Sequence, residues 1–190
     1  MFFRDCFKYQ NHIDTDLTAE QSWKVIEWKT GTQDYPIDNE CLEFVKKIIR
    51  DKCKNAQVKL ITEHDEIIKI MKETGHKHNF VVNIDNHHDV TYFNDDEKLD
   101  IENWVKHGRN EDLIGGYIWL HQDSSETCLN SPFHFLHSSW KDFKIENLKD
   151  FDLVVLCLSP YFTPPKYWEL INFLNVYNNL KNHNYKKETE

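Results

Sequence analysis

Phe80-Val81-Val82-Asn83-Ile84-Asp85-Asn86-His87-His88-Asp89 is the stretch on which the fold turns. Four of its first five residues are β-branched or aromatic and none is charged, the pattern of a strand covered on both faces. Its last five residues are all polar and four are ionisable. A strand that passes straight into ionisable residues fits a parallel sheet, in which chemistry gathers at the carboxyl ends of the strands.

Outward from this stretch, helical and extended periods alternate. Thr18-Ala19-Glu20-Gln21 has capping-box spacing, with Trp23, Ile26 and Trp28 as the expected apolar face. A second helix is expected near Asp38, carrying Leu42, Val45, Ile48 and Ile49. Val58 to Ile61 reads as a short buried strand and Asp65 to Glu73 as a helix bearing Ile67, Ile68, Ile70 and Met71. Leu99 to Lys106 is a weaker helix. Tyr117 to Leu120 and Asp152 to Leu158 read as strands, and Thr163 can cap a last helix through Pro164 and Pro165. The expected fold class is therefore α/β, three layers (α/β/α) around a mostly parallel sheet. One domain is expected over residues 1–180, with 1–56 as a helical N-terminal part and 181–190 as a polar tail.

Composition narrows the functional classes. The chain has 190 residues, 39% of them hydrophobic and 14% aromatic, enough for a sizeable core and too apolar for disorder throughout. Its 23 basic and 32 acidic residues leave a net charge of −9, the wrong sign for a general nucleic-acid binder and one that either fits a cationic partner or serves solubility alone. Five cysteines, Cys6, Cys41, Cys53, Cys128 and Cys157, form no C-x-x-C pair, which suits a reducing cytoplasm. The opening Met1 to Cys6 does not read as a signal peptide, and no apolar run approaches the length of a membrane span. Walker, G-x-G-x-x-G, G-x-S-x-G and H-E-x-x-H patterns are absent.

The candidate site residues follow the strands. Asp85, His87 and Asp89 form D-x-H-x-D. If the chain stays extended beyond Ile84, the three share one side and can converge on a metal. His64, just past the strand ending at Ile61, can join them as a further ligand. His121-Gln122-Asp123-Ser124-Ser125-Glu126, after Leu120, could bind substrate, supply a proton-transfer histidine or form a turn. His134 and His137 flank Phe133, Phe135 and Leu136 and are expected to line an aromatic strand or loop, while Trp104 and Trp119 could border a pocket. Cys157 is expected to be a small core residue.

Val82 to Asp89 resembles the D-x-H-x-D segment of the arginase/agmatinase/deacetylase superfamily. Glu63-His64 stands where that superfamily has its separate histidine ligand, and Leu158 to Pro164 is similar to the stretch after its second acidic motif. The likeness is greatest to short, divergent arginase-like proteins that include peptide arginases. It implies an arginase-like fold and a metal-dependent C–N hydrolase that converts arginine in a peptide to ornithine and urea. The implied cofactor is one or two Mn²⁺ or another divalent transition metal. His64, Asp85 and Asp89 would hold one ion, and Asp85 and His87 a second. Proton transfer would fall to His121 or His88, and Asp123 and Glu126 would hold the guanidinium. The implied partner is an arginine-containing peptide or a small guanidinium compound, with neither nucleic acid nor membrane involved. One departure stands out: the superfamily's second D-x-D is replaced by Cys157-Leu158-Ser159. A deacetylase or agmatinase-like amidohydrolase, and a non-catalytic peptide-binding protein with a decayed site, are the competing expectations.

Overall fold

The computed structural model describes residues 16–31, 37–90, 98–122 and 134–168. In chain order these form α1 (Ala19–Thr30), α2 (Asn39–Lys52), β1 (Gln57–Ile61), α3 (Glu66–Thr74), β2 (Asn79–Ile84), α4 (Trp104–Asn110), β3 (Ile114–His121), β4 (Leu136–Ser139) and β5 (Leu153–Cys157). Short 3₁₀ turns follow at Ile145–Asn147 and Pro165–Tyr167. The protein is mixed α/β, and every strand pair among the described residues is parallel. Those residues fall into two compact units, each assembled from separate segments of chain.

The first unit draws on residues 37–52 and 64–149. Its sheet has the order β2-β3-β4, with Ile84 opposite Leu120 and His121 opposite Ser139. Alternation along the strands divides the side chains between two faces. Tyr117 and Trp119 face one way and pack with Ile68 and Met71 of α3 and Trp104 and Val105 of α4. Ile118, Leu120, Val82 and Ile84 face the other way, against Cys41, Phe44 and Val45 of α2 and Trp140 and Phe143. Asp38 starts α2 by accepting hydrogen bonds from the backbone N–H groups of Glu40 and Cys41, both 3.1 Å. At the start of β3 only glycine fits at position 115. A Cβ there would stand 2.8 Å from the carbonyl oxygen of His78.

The second unit draws on residues 4–36, 53–63 and 150–190, of which parts are described. Here β1 and β5 pair in parallel, Gln57 opposite Leu153 through Ile61 opposite Cys157. The capping box of α1 forms as its spacing requires, with Thr18 and Gln21 each bonding the other's backbone N–H. Trp23 and Ile26 are buried against Tyr167 and Trp168.

Several expectations need correction. The parallel strands are divided between two sheets. β1 alternates in exposure and buries only Ile61, so it is a half-covered strand. Trp28 is 83% exposed, because it lies about 140° around the helix from Trp23. The helix expected at Leu99 begins at Trp104. Asn103 closes the preceding turn, bonding the Asp100 N–H at 2.8 Å and the Lys98 carbonyl at 3.0 Å, and the helix starts after it. The stretch around His137, in keeping with the expected aromatic strand or loop, is strand β4. Of the helix expected after Thr163, the described residues hold only the 3₁₀ turn Pro165–Tyr167; the rest of that stretch and the 181–190 tail lie outside them.

Candidate metal centre

The site lies in the first unit, where the chain leaves β2. Asp85 follows the last residue of that strand. Its backbone N–H donates to the Leu120 carbonyl (3.1 Å), and its own carbonyl accepts from the Trp119 indole (2.8 Å). The backbone of Asp85 is thus pinned to β3 by two hydrogen bonds, whatever its side chain does. His64 stands two residues before α3, and its carbonyl accepts from the Ile67 N–H in the first turn of that helix.

Beyond Asp85 the chain does not stay extended. It bends, and Asp89 adopts the left-handed conformation, with φ at +52°. That conformation is uncommon for a residue with a side chain and persists where its surroundings enforce it. Here they do. Asn83 Nδ2 lies 3.0 Å from the Tyr117 hydroxyl, 3.4 Å from the His87 carbonyl and 3.4 Å from Asp89 Oδ2. The Tyr117 hydroxyl donates to the His88 carbonyl (2.8 Å), and the Val105 N–H of α4 donates to the Asp89 carbonyl (3.1 Å).

This bend decides which side chains meet. His64 Nδ1 lies 3.5 Å from Asp85 Oδ2 and 3.2 Å from Asp89 Oδ2. One ligand atom from each of His64, Asp85 and Asp89 lies within 4.8 Å of the others. His87 is not in the group, because the alternation that would have brought it there requires an extended chain. His88 faces the core at 1% exposure. Its Nδ1 accepts from the Val90 N–H (3.1 Å), and its ring meets Trp119 edge-on and Phe135 at a tilt. Those contacts pack it into the core beside the bend. His121 ends β3, buried, with its ring tilted by 40° against Trp119 at 4.4 Å between centroids and its Nε2 3.4 Å from His137 Nδ1. Asp123 and Glu126 lie outside the described residues. Cys157 is half-buried at the end of β5 in the second unit, its sulfur near the Ser159 hydroxyl (3.2 Å).

The electrostatics suit a cation. Asp89 is buried, and burial pushes its carboxyl pKa up against the opposing pull of His64. The Trp104 indole donates to Asp89 Oδ2 at 2.8 Å, fixing the carboxylate from behind. Asp85 Oδ1 accepts from the Asn86 N–H, whereas Asp85 Oδ2 is buried and makes no hydrogen bond. A buried carboxylate oxygen without a donor is costly unless something positive meets it. Two carboxylates and an imidazole form a donor set for a divalent transition metal such as Mn²⁺, Fe²⁺ or Zn²⁺. His64, Asp85 and Asp89 therefore fit such an ion on chemistry and on spacing.

The supporting residues Asn83, Trp104, Tyr117 and Trp119 were only partly visible in the sequence. An asparagine inside an otherwise apolar strand is a signal that something polar lies beside it. Nothing in the sequence pairs Tyr117 with a carbonyl 29 positions away. The chain matches no protein-family model, and no curated protein and no solved structure is significantly similar to it.

Proposed function

We propose that the protein is a divalent-metal-dependent C–N hydrolase acting on the guanidinium group of arginine within a peptide, giving ornithine and urea. The observation that carries the metal part is the His64, Asp85 and Asp89 group, with its buried and unbonded Asp85 oxygen. The substrate part rests on the arginase-like sequence motifs and on the net charge of −9, which favours a cationic substrate. An arginase-like three-layer arrangement belongs to the same proposal. When bound, a divalent cation supplies Lewis acidity, which activates water and offsets charge developed on the substrate. Asp85 and Asp89 neutralise and orient the ion, and the Trp104 and Trp119 indoles hold the two aspartates in place. We place one ion here, since His87 stands outside the group and Cys157-Leu158-Ser159 offers no carboxylate.

The same departure from the motif favours a second reading, a peptide-binding protein that no longer hydrolyses. Elemental analysis of untagged protein purified without chelator, wild type and Asp85→Ala, tests the metal. Incubation with arginine peptides, agmatine and acetyl-lysine peptides, with urea, amine and acetate as readouts, tests the chemistry. Metal lost in Asp85→Ala together with urea from arginine peptides is the expected result. Peptide binding without product would move the assignment to the second reading. Full metal content in Asp85→Ala would remove the site.

A further inference from the structure

A second pair of metal-type side chains lies apart from the His64 group, at the carboxyl edge of β3 and β4. Trp119 is opposite His137 across the strands, and His121 is two residues further along β3. Residues 119, 121 and 137 thus share one sheet face. The indole of Trp119 lies against both imidazoles, 4.4 Å from the His121 ring and 6.3 Å from that of His137.

His121 Nδ1 is 2.8 Å from the Gln122 carbonyl oxygen, an atom that can only accept. Nδ1 must therefore carry the proton, and in the neutral ring the lone pair is on Nε2. A backbone carbonyl on the far nitrogen is the usual orienting contact of a metal-bound histidine. The Nε2 so exposed points at His137 Nδ1, 3.4 Å away. That distance is long for a good hydrogen bond between nitrogens. It matches two imidazoles on one tetrahedral ion, since ligands at the usual Zn–N length of about 2.0–2.1 Å stand about 3.3–3.4 Å apart at the tetrahedral angle.

We propose that His121 Nε2 and His137 Nδ1 form a second cation site, selective for a borderline transition metal such as Zn²⁺, Ni²⁺ or Cu²⁺. Neutral nitrogen donors without a carboxylate bind these ions in preference to Mn²⁺. His121 is buried and anchored, while His137 is exposed on β4, so solvent reaches the pair and water fills the remaining positions. Bound metal ties the end of β3 to β4, the edge strand of this sheet among the described residues. The proposal does not depend on the hydrolase reading.

The test uses untagged full-length protein stripped of metal, in an Asp85→Asn background that disables the His64 group. Calorimetric titration with Zn²⁺ should show one bound equivalent in Asp85→Asn, and the same titration with Mn²⁺ should show none there. Adding His137→Ala, an exposed position whose replacement leaves the core intact, should weaken Zn²⁺ binding at least tenfold. Circular dichroism verifies the fold of each variant. Substituting Co²⁺ should give a visible absorption band that the double variant loses. Equal Zn²⁺ binding in the single and double variants, or no Zn²⁺ binding in Asp85→Asn, would overturn the proposal. Mn²⁺ binding in Asp85→Asn that His137→Ala removes would overturn the selectivity, whereas Mn²⁺ binding that His137→Ala leaves in place would count against the His64 centre, so the two failures are distinguishable.

Discussion

Replacing Asp85 by Asn should make the metal-free protein more stable while removing its response to Mn²⁺. Asp85 and Asp89 present carboxylate oxygens no more than 4.8 Å apart. With both ionised, at pH above the raised pKa of Asp89, two unit charges at that separation repel by about 3.5 kcal/mol at an effective dielectric constant of about 20. Asp85 is 22% exposed at its side chain, so solvent screens part of this, leaving about 1–3 kcal/mol. The substitution is also favourable at the level of hydrogen bonds. The amide oxygen of the introduced side chain can keep the Asn86 N–H bond now made by Asp85 Oδ1. Its NH₂ then takes the place of the buried Oδ2, which accepts nothing, and becomes a donor towards Asp89. For a chain of this size the gain corresponds to a rise in Tm of about 3–10 °C in chelator. The assay is thermal unfolding of both proteins in chelator and in Mn²⁺. Wild type should gain about 2.7 kcal/mol at a hundredfold excess of Mn²⁺ over its Kd, and Asp85→Asn should gain nothing. A variant less stable than wild type in chelator, beside a wild type that ignores every divalent cation, would refute the electrostatic reasoning and the centre together.

Other substitutions probe the surroundings of the centre. Asp89 has its pKa raised by burial, so its folded form favours the proton; its contribution to metal-free stability is full below about pH 4 and is lost as pH rises through the raised value. Metal-free Asp89→Asn should therefore show a flatter dependence of stability on pH above that point, and wild-type metal affinity should fall as pH is lowered, measurable by unfolding and by titration in parallel. Trp104→Phe deletes the buried indole bond to Asp89 Oδ2 and should weaken metal binding by about 10–100-fold with modest loss of stability, read by calorimetry. Tyr117→Phe unties the His88 carbonyl and should cost about 1–3 kcal/mol in denaturant unfolding, because a buried acceptor loses its donor. Gly108→Ala would place a Cβ 2.5 Å from Ile114 Cδ1 and should cost about 1–3 kcal/mol by overpacking, whereas an unchanged midpoint would show that Ile114 can move aside.

The local elements were legible because their determinants are local. The Thr18 and Gln21 box, the Asp38 start of α2 and the apolar run from Phe80 to Ile84 each act within a few residues, and each formed where the spacing placed it. The carboxyl-end rule pointed to His64 and Asp85, which follow the ends of β1 and β2 in the chain and lie 3.5 Å apart. His87 shows the limit of such reasoning: period-two alternation holds only while the chain is extended, and the bend after Asp85 ends it. His88 shows another, because an imidazole reads as chemistry in a sequence and here it packs among Trp119 and Phe135.

By itself, then, the sequence determined the α/β class, the parallel strands and most element positions, and it pointed to His64, Asp85 and Asp89 among its candidates. Only the tertiary structure decided that the strands divide into two sheets, that Asp89 turns back to meet His64, and that His121 faces His137. The reason is physical. Element type follows from backbone propensity and apolar period over short windows. Strand order and side-chain convergence follow from contacts between residues far apart in the chain, such as Asn83 with Tyr117 and Trp119 with Asp85. Those contacts exist only once the elements have packed.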